Sequence, residues 1–414
     1  MKAQSPKRLL VVTQYYHPEN FRINDMTAEW VQRGYDVTVI CGIPNYPKGR
    51  FLKGYGLFSR RKETVRGVKV RRLPLIPRGR NRLMLALNYL SFAVSGFFWA
   101  RFTRLEADLV FCFEMSPMSM ALPAVWYAGR KKLPCLIYMQ DLWPESFEAA
   151  AGLPFRTVRR LLAKMAVSIY KRCDRILVTS RSFVEAIVRR GIDRQKISFW
   201  PQYAEEFYRP DASPSGLIDA EDRFTVAFTG NIGTSQGLDI LPKTARLLKN
   251  QGTRVRFLLV GDGRGMDSLK KSIKEQDVQA YFCFVPQQPP QEIPGLLRHA
   301  DAAFLSFTDK QLFRMTLPAK LQSYMACGKP IVAAAGGETA QVINEARCGL
   351  CSAPEDAAAL YQNILTLMGM SENERAEMAR RARAYAKAHY DKQTLMDEID
   401  RRFLCLMEKG EKQV

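Results

Sequence analysis

Three histidines in 414 residues, and no Asp-x-Asp triplet anywhere, leave this chain poor in the groups that most often hold a catalytic metal. The simplest paired-aspartate clamp for a metal-bound diphosphate is therefore missing, and no metal is expected. The nine cysteines form an odd, scattered set, which argues for reduced thiols and a cytoplasmic protein. Cys348 and Cys351 make the only Cys-x-x-Cys, with no second pair nearby, so they read as two small residues near a strand. No signal peptide is recognisable, because the apolar run Leu9–Val12 is too short and reads as a first strand. Tandem repeats, low-complexity tracts and the G-x-G-x-x-G of dinucleotide enzymes are also absent.

Net charge is absent from one half only. Residues 201–414 hold 27 Lys/Arg against 27 Asp/Glu, whereas residues 1–200 hold 35 against 14, so the whole excess of +21 lies in the first half. Such asymmetry implies two domains with different partners, one of them polyanionic. The usual helix-turn-helix, zinc-finger and RNA-sheet signatures do not occur, so an anionic membrane surface is the expected partner and nucleic acid is not. Leu83–Ala100 is an uncharged run of 18 residues containing Phe92, Phe97, Phe98 and Trp99, flanked by Arg78, Arg80, Arg82, Arg101 and Arg104. Its length suits a membrane span, but strand patterns lie on both sides of it, and one crossing would split a sheet across a bilayer. Two possibilities remain: a helix buried in the first domain, or one that dips into a single leaflet while its arginines meet headgroups. Phe155–Arg175 is a second candidate, with Val158, Leu161, Leu162, Met165 and Ile169 at helical spacing and Arg156, Arg160 and Lys164 on another face.

The length suits two domains of about 200 residues. Strand patterns at Arg8–Thr13, Asp36–Cys41, Val65–Pro74, Ala107–Phe113, Cys135–Met139 and Arg175–Thr179 alternate with helical ones. Phe199–Pro210 reads as a connector, after which the alternation restarts at Phe224–Thr229, Val255–Val260, Ala280–Val285, Ala302–Phe307 and Ile331–Ala335. This pattern predicts two doubly wound α/β domains facing across a cleft. The expected boundaries are 1–198, 199–384, and a C-terminal helical segment 385–414 that returns to the first domain.

The densest chemical signal is Gly230-Asn231-Ile232-Gly233-Thr234-Ser235-Gln236-Gly237, directly after the Phe224–Thr229 strand and before a helical pattern at Leu238–Leu248. A strand that breaks into glycines and restarts as a helix turns backbone N–H groups toward one spot. That spot favours phosphate. A nucleotide-diphosphate compound, in particular a sugar nucleotide, is the expected ligand.

These residues, together with Leu259-Val-Gly-Asp-Gly263 and Pro318-Ala-Lys320 through Ala326-Cys-Gly-Lys-Pro-Ile-Val-Ala333, resemble the donor domain of retaining family 4 glycosyltransferases. Tyr15-Tyr-His-Pro-Glu19, Pro44-Asn-Tyr-Pro47 and Gln140-Asp-Leu-Trp-Pro-Glu-Ser146 resemble the branch that transfers amino sugars such as fucosamine in bacterial surface polysaccharide assembly. The resemblance covers nearly the whole chain. It implies a GT-B fold, a UDP-sugar donor carrying an N-acetylated amino deoxysugar, a lipid-linked saccharide acceptor in the N-terminal domain, and no cofactor. It also implies a peripheral enzyme on the inner face of the cell membrane. The chain departs from the family in two respects: the paired glutamates that many members carry are replaced by Met315 and Ser323, and the common arginine and lysine around the glycine loop are absent, Asn231 and Gln236 occupying that region.

Lys320 and Arg314 are the candidates to neutralise a departing diphosphate alongside the amides of the glycine loop. Gly230, Asn231, Gly233, Thr234, Ser235, Gln236, Gly237, Gly261, Pro286, Gly336, Gly337 and Glu338 are the candidate donor contacts. Asp141 and Glu145 follow a strand end and are candidates to orient an acceptor hydroxyl, though Asp141 equally suits the cap of a short helix starting at Trp143-Pro144. His17 and Glu19 follow the first strand on the acceptor side. The rivals to a transferase are a sugar-nucleotide 2-epimerase, which would need no acceptor, and a basic nucleic-acid-binding protein with steep salt dependence.

Overall fold

The computed structural model describes residues 6–79, 81–151, 156–219 and 222–411. Arg80 and Phe155 lie outside them. The chain divides into two compact units: unit 1 runs to Thr179 and adds Phe183–Trp200 and the chain from Glu398, while unit 2 is Ser180–Ser182 with Pro201–Asp397.

Unit 1 follows the order β1 (Arg8–Val12), α1 (Ile23–Gln32), β2 (Asp36–Gly42), β3 (Lys62–Val65), β4 (Val68–Leu73), α2 (Arg82–Phe102), β5 (Leu109–Glu114), α3 (Leu122–Lys131), β6 (Cys135–Met139), α4 (Glu145–Ala151), α5 (Arg156–Arg172), β7 (Arg175–Val178), α6 (Arg181–Val188) and β8 (Ile197–Phe199). The sheet order is β3-β4-β2-β1-β5-β6-β7-β8. All pairings are parallel except β3 with β4. The central strands are apolar on both faces because helices cover both, and β5 and β6 are buried along their whole length.

Unit 2 contains β9 (Phe224–Thr229), α7 (Ile240–Asn250), β10 (Val255–Val260), α8 (Met266–Glu275), β11 (Phe282–Val285), α9 (Ile293–Leu297), β12 (Ala302–Ser306), α10 (Gln311–Arg314), α11 (Ala319–Ala326), β13 (Ile331–Ala334), α12 (Gly337–Ala346), β14 (Gly349–Ser352), α13 (Ala357–Gly369) and α14 (Glu372–His389), followed by α15 (Lys392–Glu411). Its sheet, β11-β10-β9-β12-β13-β14, is parallel throughout. In both units the strand order reverses beside the first strand, between β1 and β5 and between β9 and β12. Ligands of such sheets bind outside the carboxyl ends of the two strands at that point.

Most of the predicted strands are present within a residue or two. Val65–Pro74 differs: it is the second arm of a hairpin, with Arg66 and Gly67 both at positive φ in the two-residue turn. Polar residues of β3 hid the first arm. β8 and β14 were too short to register as periodic, and Cys351 lies on β14. The long C-terminal helical stretch is two helices. Asp391 accepts the Thr394 amide at 2.8 Å and starts α15 anew, and membership of unit 1 resumes at Glu398 rather than at 385.

α15 docks on unit 1 through Phe403, whose ring centroid lies 5.4 Å from Trp30 and 5.8 Å from Phe111. Arg33 donates to Asp400 at 2.8 Å, and Arg402 donates to Ser198 Oγ at 3.0 Å. Trp30, Phe111 and Phe403 are all fully buried. Phe403→Ala is therefore expected to destabilise the protein by about 3–5 kcal/mol, read from denaturant unfolding; a loss below about 1 kcal/mol would mean that α15 adds nothing to the unit 1 core.

Candidate active site

Unit 2 places the glycine loop at its switch point. Gly230, at φ +122, ends β9 in a conformation that favours glycine, and a Cβ there would sit 2.9 Å from Cε of Lys320. Gly230 donates to the Val260 carbonyl at 2.8 Å and Ile232 to that of Asp262 at 2.9 Å, so the loop lies flat on the end of β10. Gly261 permits this approach, since a Cβ there would lie 2.0 Å from the Gly230 oxygen. It supports the loop from behind. Thr234–Gln236 then form one 3-10 turn, closed by Gly237 at φ +60. Thr308 donates to the Ser235 carbonyl at 3.1 Å, tying the loop to the end of β12. Among the described residues, the amides of Gly233, Thr234 and Ser235 donate to no protein group. The expected helix begins only at Ile240.

Lys320 stands on the first turn of α11 with its stem over Gly230. Its ammonium donates to Gln236 Oε1 and lies 4.0 Å from the centroid of the Phe228 ring. Burial pulls its pKa down to about 7, because no carboxylate compensates for lost hydration. Gln236 of the glycine loop thus holds a cation supplied by another element. Asn231 is exposed, and its amide nitrogen faces the Gly233 backbone.

The remaining donor-side candidates separate. Arg314 ends α10 exposed and forked onto Asp309, at 2.9 and 3.0 Å. Its carbonyl abuts Gly337, where a Cβ would lie 1.8 Å away, so the Gly336-Gly337 turn is packed on Arg314 backbone. Glu338 is buried, and its carboxylate accepts from Ser180 Oγ at 2.6 Å and from the amides of Arg181 and Ser182 at 2.6 and 2.8 Å. Both oxygens are occupied by protein. Pro286 is exposed past edge strand β11, two strands from β9. Of the two positions lacking the family glutamates, Ser323 donates back to Ala319 within α11, and the Met315 carbonyl accepts from Ser180.

In unit 1, Asp141 follows β6 and accepts from Ser116 Oγ at 2.7 Å, and that oxygen accepts from Trp143 Nε1 at 3.0 Å. This cross-link is found in place of a helix cap. Burial raises the Asp141 pKa. Arg190 donates to both oxygens of Glu145, at 2.7 and 2.6 Å, so Glu145 anchors α4. Glu19 is buried and accepts from the amides of Asn45 and Tyr46, both at 2.7 Å, pinning the turn after β2. Burial nevertheless pushes its pKa up to about 7. His17 is partly buried; its amide donates to Asn24 and its carbonyl accepts from Arg72. Burial lowers its imidazole pKa.

Glu114 was not anticipated. It ends β5 at the unit 1 switch point, fully buried, with neither carboxylate oxygen hydrogen-bonded. Burial, with Asp141 nearby, raises its pKa well above the usual carboxylate range. The signal available in the sequence was an acidic residue closing an apolar strand. Among the described residues no three His, Cys, Asp or Glu are grouped to hold a metal ion.

Two family models match the chain. Glycosyl transferases group 1 covers residues 213–388, and the glycosyl transferase 4-like domain covers residues 20–202. The chain is a group 1 glycosyltransferase. Among its relatives, this glycosyltransferase is 29% identical over 254 residues to the probable glycosyltransferase WbjE of Pseudomonas aeruginosa, an alignment covering 59% of this chain and 62%, under two thirds, of that protein. It is 25% identical over 413 residues to the putative colanic acid biosynthesis glycosyl transferase WcaI of Escherichia coli K12, covering 95% and 98% of the two chains. Among solved structures it is similar to Anabaena HepE in complex with UDP and glucose, with a TM-score of 0.69, 17% identity, and 96% and 99% of the two chains covered. That likeness is one of fold, the two-domain GT-B type.

In this glycosyltransferase the loop and Lys320 fall within the group 1 match, and Asp141 and Glu114 within the 4-like match. Because the Glu338 carboxylate is held by the Ser180–Ser182 segment, Glu338→Gln is expected to destabilise the protein by about 1–3 kcal/mol in thermal or denaturant unfolding. Unchanged stability would return Glu338 to the donor contacts.

Proposed function

We propose that this chain is a retaining, metal-independent glycosyltransferase. It moves a sugar, an N-acetylated amino deoxysugar, from a UDP donor to a lipid-linked saccharide, in cell-surface polysaccharide synthesis on the inner face of the membrane. The observation that carries the proposal is Lys320: a single enclosed ammonium over the glycine turn, beside three unclaimed amides, at the switch point of the C-terminal sheet. UDP as the nucleotide is supported by the UDP complex of HepE, and polysaccharide synthesis by the colanic acid assignment of WcaI.

Transfer breaks the bond between the anomeric carbon and the β-phosphate oxygen and forms one to the acceptor oxygen on the same face. The acceptor proton passes to a phosphate oxygen of the leaving UDP, so no protein base is required. Negative charge grows on the diphosphate as the bond breaks. Lys320 and the Gly233–Ser235 amides are pre-set to meet it, and low hydration strengthens their effect. Arg314 lies at the Gly336-Gly337 side with its charge already shared with Asp309. Asp141, held by Ser116, is the group placed to orient an acceptor hydroxyl.

The direct test is product mass from purified protein and a panel of UDP-sugars, with and without a lipid-linked sugar extract. A sugar-sized mass gain on the lipid is expected, with Lys320→Ala lowering kcat by about 10²–10³; isomerised donor without acceptor would instead establish an epimerase. A second test follows from the lowered amine. Free Lys320 loses its proton above a pH of about 7, and a bound diphosphate raises that pKa, so UDP binding at pH 8 takes up a proton. Affinity then falls as pH rises, by up to about tenfold per unit. Calorimetry in two buffers of different ionisation enthalpy reads the uptake directly, and Lys320→Met should abolish it; equal heats in both buffers for the wild type together with unchanged UDP affinity in Lys320→Met would remove Lys320 from the diphosphate site.

A further inference from the structure

α2 is the one helix among the described residues long and apolar enough to cross a membrane. Its contacts show that it does not leave unit 1. Asn88 is buried, donating to the Ile76 carbonyl at 2.6 Å and accepting from Gln14 at 2.8 Å. Ser95 donates to the Pro74 carbonyl at 2.5 Å, and Ser91 accepts the Ile76 amide at 2.9 Å. Gly96 meets α3 so closely that a Cβ would lie 2.2 Å from Pro123 Cγ. One face of the helix is thus bonded to the sheet and to α3.

The opposite face is largely exposed, with Phe97 packed edge-on against Trp126 of α3, ring centroids 5.4 Å apart. Leu83, Leu90, Val94, Phe97, Phe98 and Phe102 are 47% to 70% exposed, and their spacing aligns them along one side of a helix about 31 Å long. A continuous apolar stripe of this size marks an interaction surface. Cations frame it: exposed Arg82 at one end, and Arg101, Arg104 and Arg130 at the other, where Arg130 donates to the Thr103 carbonyl at 2.7 Å. α5 follows on the same face of the sheet, because the β4–α2–β5, β5–α3–β6 and β6–α5–β7 crossovers all run in one direction. Its first two turns expose Val158 and Leu161 between Arg156, Arg160 and Lys164.

We propose that this α2 face lies in the plane of an anionic lipid leaflet, the stripe entering the acyl boundary and the flanking arginines meeting headgroup phosphates. A lipid surface is favoured over a second protein copy by charge: two copies facing one another would bring the same cations together, whereas anionic headgroups neutralise them. The geometry deepens the membrane placement proposed above, and its test needs no turnover. It also gives the site its substrate side, since Arg78, four residues before α2, donates to the Tyr15 hydroxyl at 2.9 Å at the end of unit 1 where the acceptor is expected.

The experiment is co-sedimentation of the full-length protein with vesicles of phosphatidylcholine alone or mixed with phosphatidylglycerol, for the wild type and the double variant Leu90→Ser, Phe98→Ser. Both side chains are exposed, so the fold is retained, which the melting midpoint and UDP binding verify. The wild type should bind only the anionic vesicles, more weakly at high salt, and the variant at least about tenfold less well. Equal binding of variant and wild type overturns the proposal. So does a wild type that resists extraction at high pH as a spanning protein, or one that ignores vesicles and forms a dimer that the same substitutions dissolve.

Discussion

Two peptide backbones in contact set the geometry of the glycine loop in unit 2. Gly230 and Gly261 meet at the ends of β9 and β10 so closely that neither position admits a side chain: one would strike Lys320, the other the Gly230 carbonyl. With no Cβ between them, the loop lies on the sheet, its carbonyls and amides tied to Val260, Asp262 and Gly265. The following turn leaves the Gly233, Thr234 and Ser235 amides without a protein acceptor among the described residues. Lys320 can reach over the same glycine only because nothing projects from it. A single steric condition therefore places both kinds of positive group, the amides and the ammonium, at one spot.

Loss of the family glutamates makes sense in that setting. The Ser323 hydroxyl turns back into its own helix, and the carbonyl at 315 serves the Ser180 segment. Charge at the site is then almost entirely positive. Enclosure draws down the Lys320 pKa, because burial disfavours the charged amine.

Unit 1 follows a different logic. Several acidic groups there are consumed in holding loops: Glu19 on two amides, Glu145 on Arg190. Asp141, past β6, keeps a bond to Ser116, and Glu114, at the switch point, keeps none through its carboxylate. The helix carrying the apolar stripe is fixed to the same sheet by Asn88 and the Gly96–Pro123 contact. The apolar stripe of α2 and the carboxyl ends of the unit 1 strands therefore belong to one packed unit.

The parallel strands were legible because burial on both faces writes them as apolar runs of strand length, and β6, β9 and β10 fall on the predicted residues. The glycine loop was legible because close backbone approach excludes every other residue. By itself, then, the sequence determined two doubly wound sheets, the glycine turn after β9 and the charge asymmetry. It did not determine which acidic groups are free, since that depends on partners distant in the chain: Glu338 is claimed by Ser180 and Glu145 by Arg190 only once the chain is folded. Nor did composition decide the state of Leu83–Ala100. A buried helix, a span and a surface helix share that composition; only tertiary packing, by bonding one face and leaving the other largely exposed, separates them.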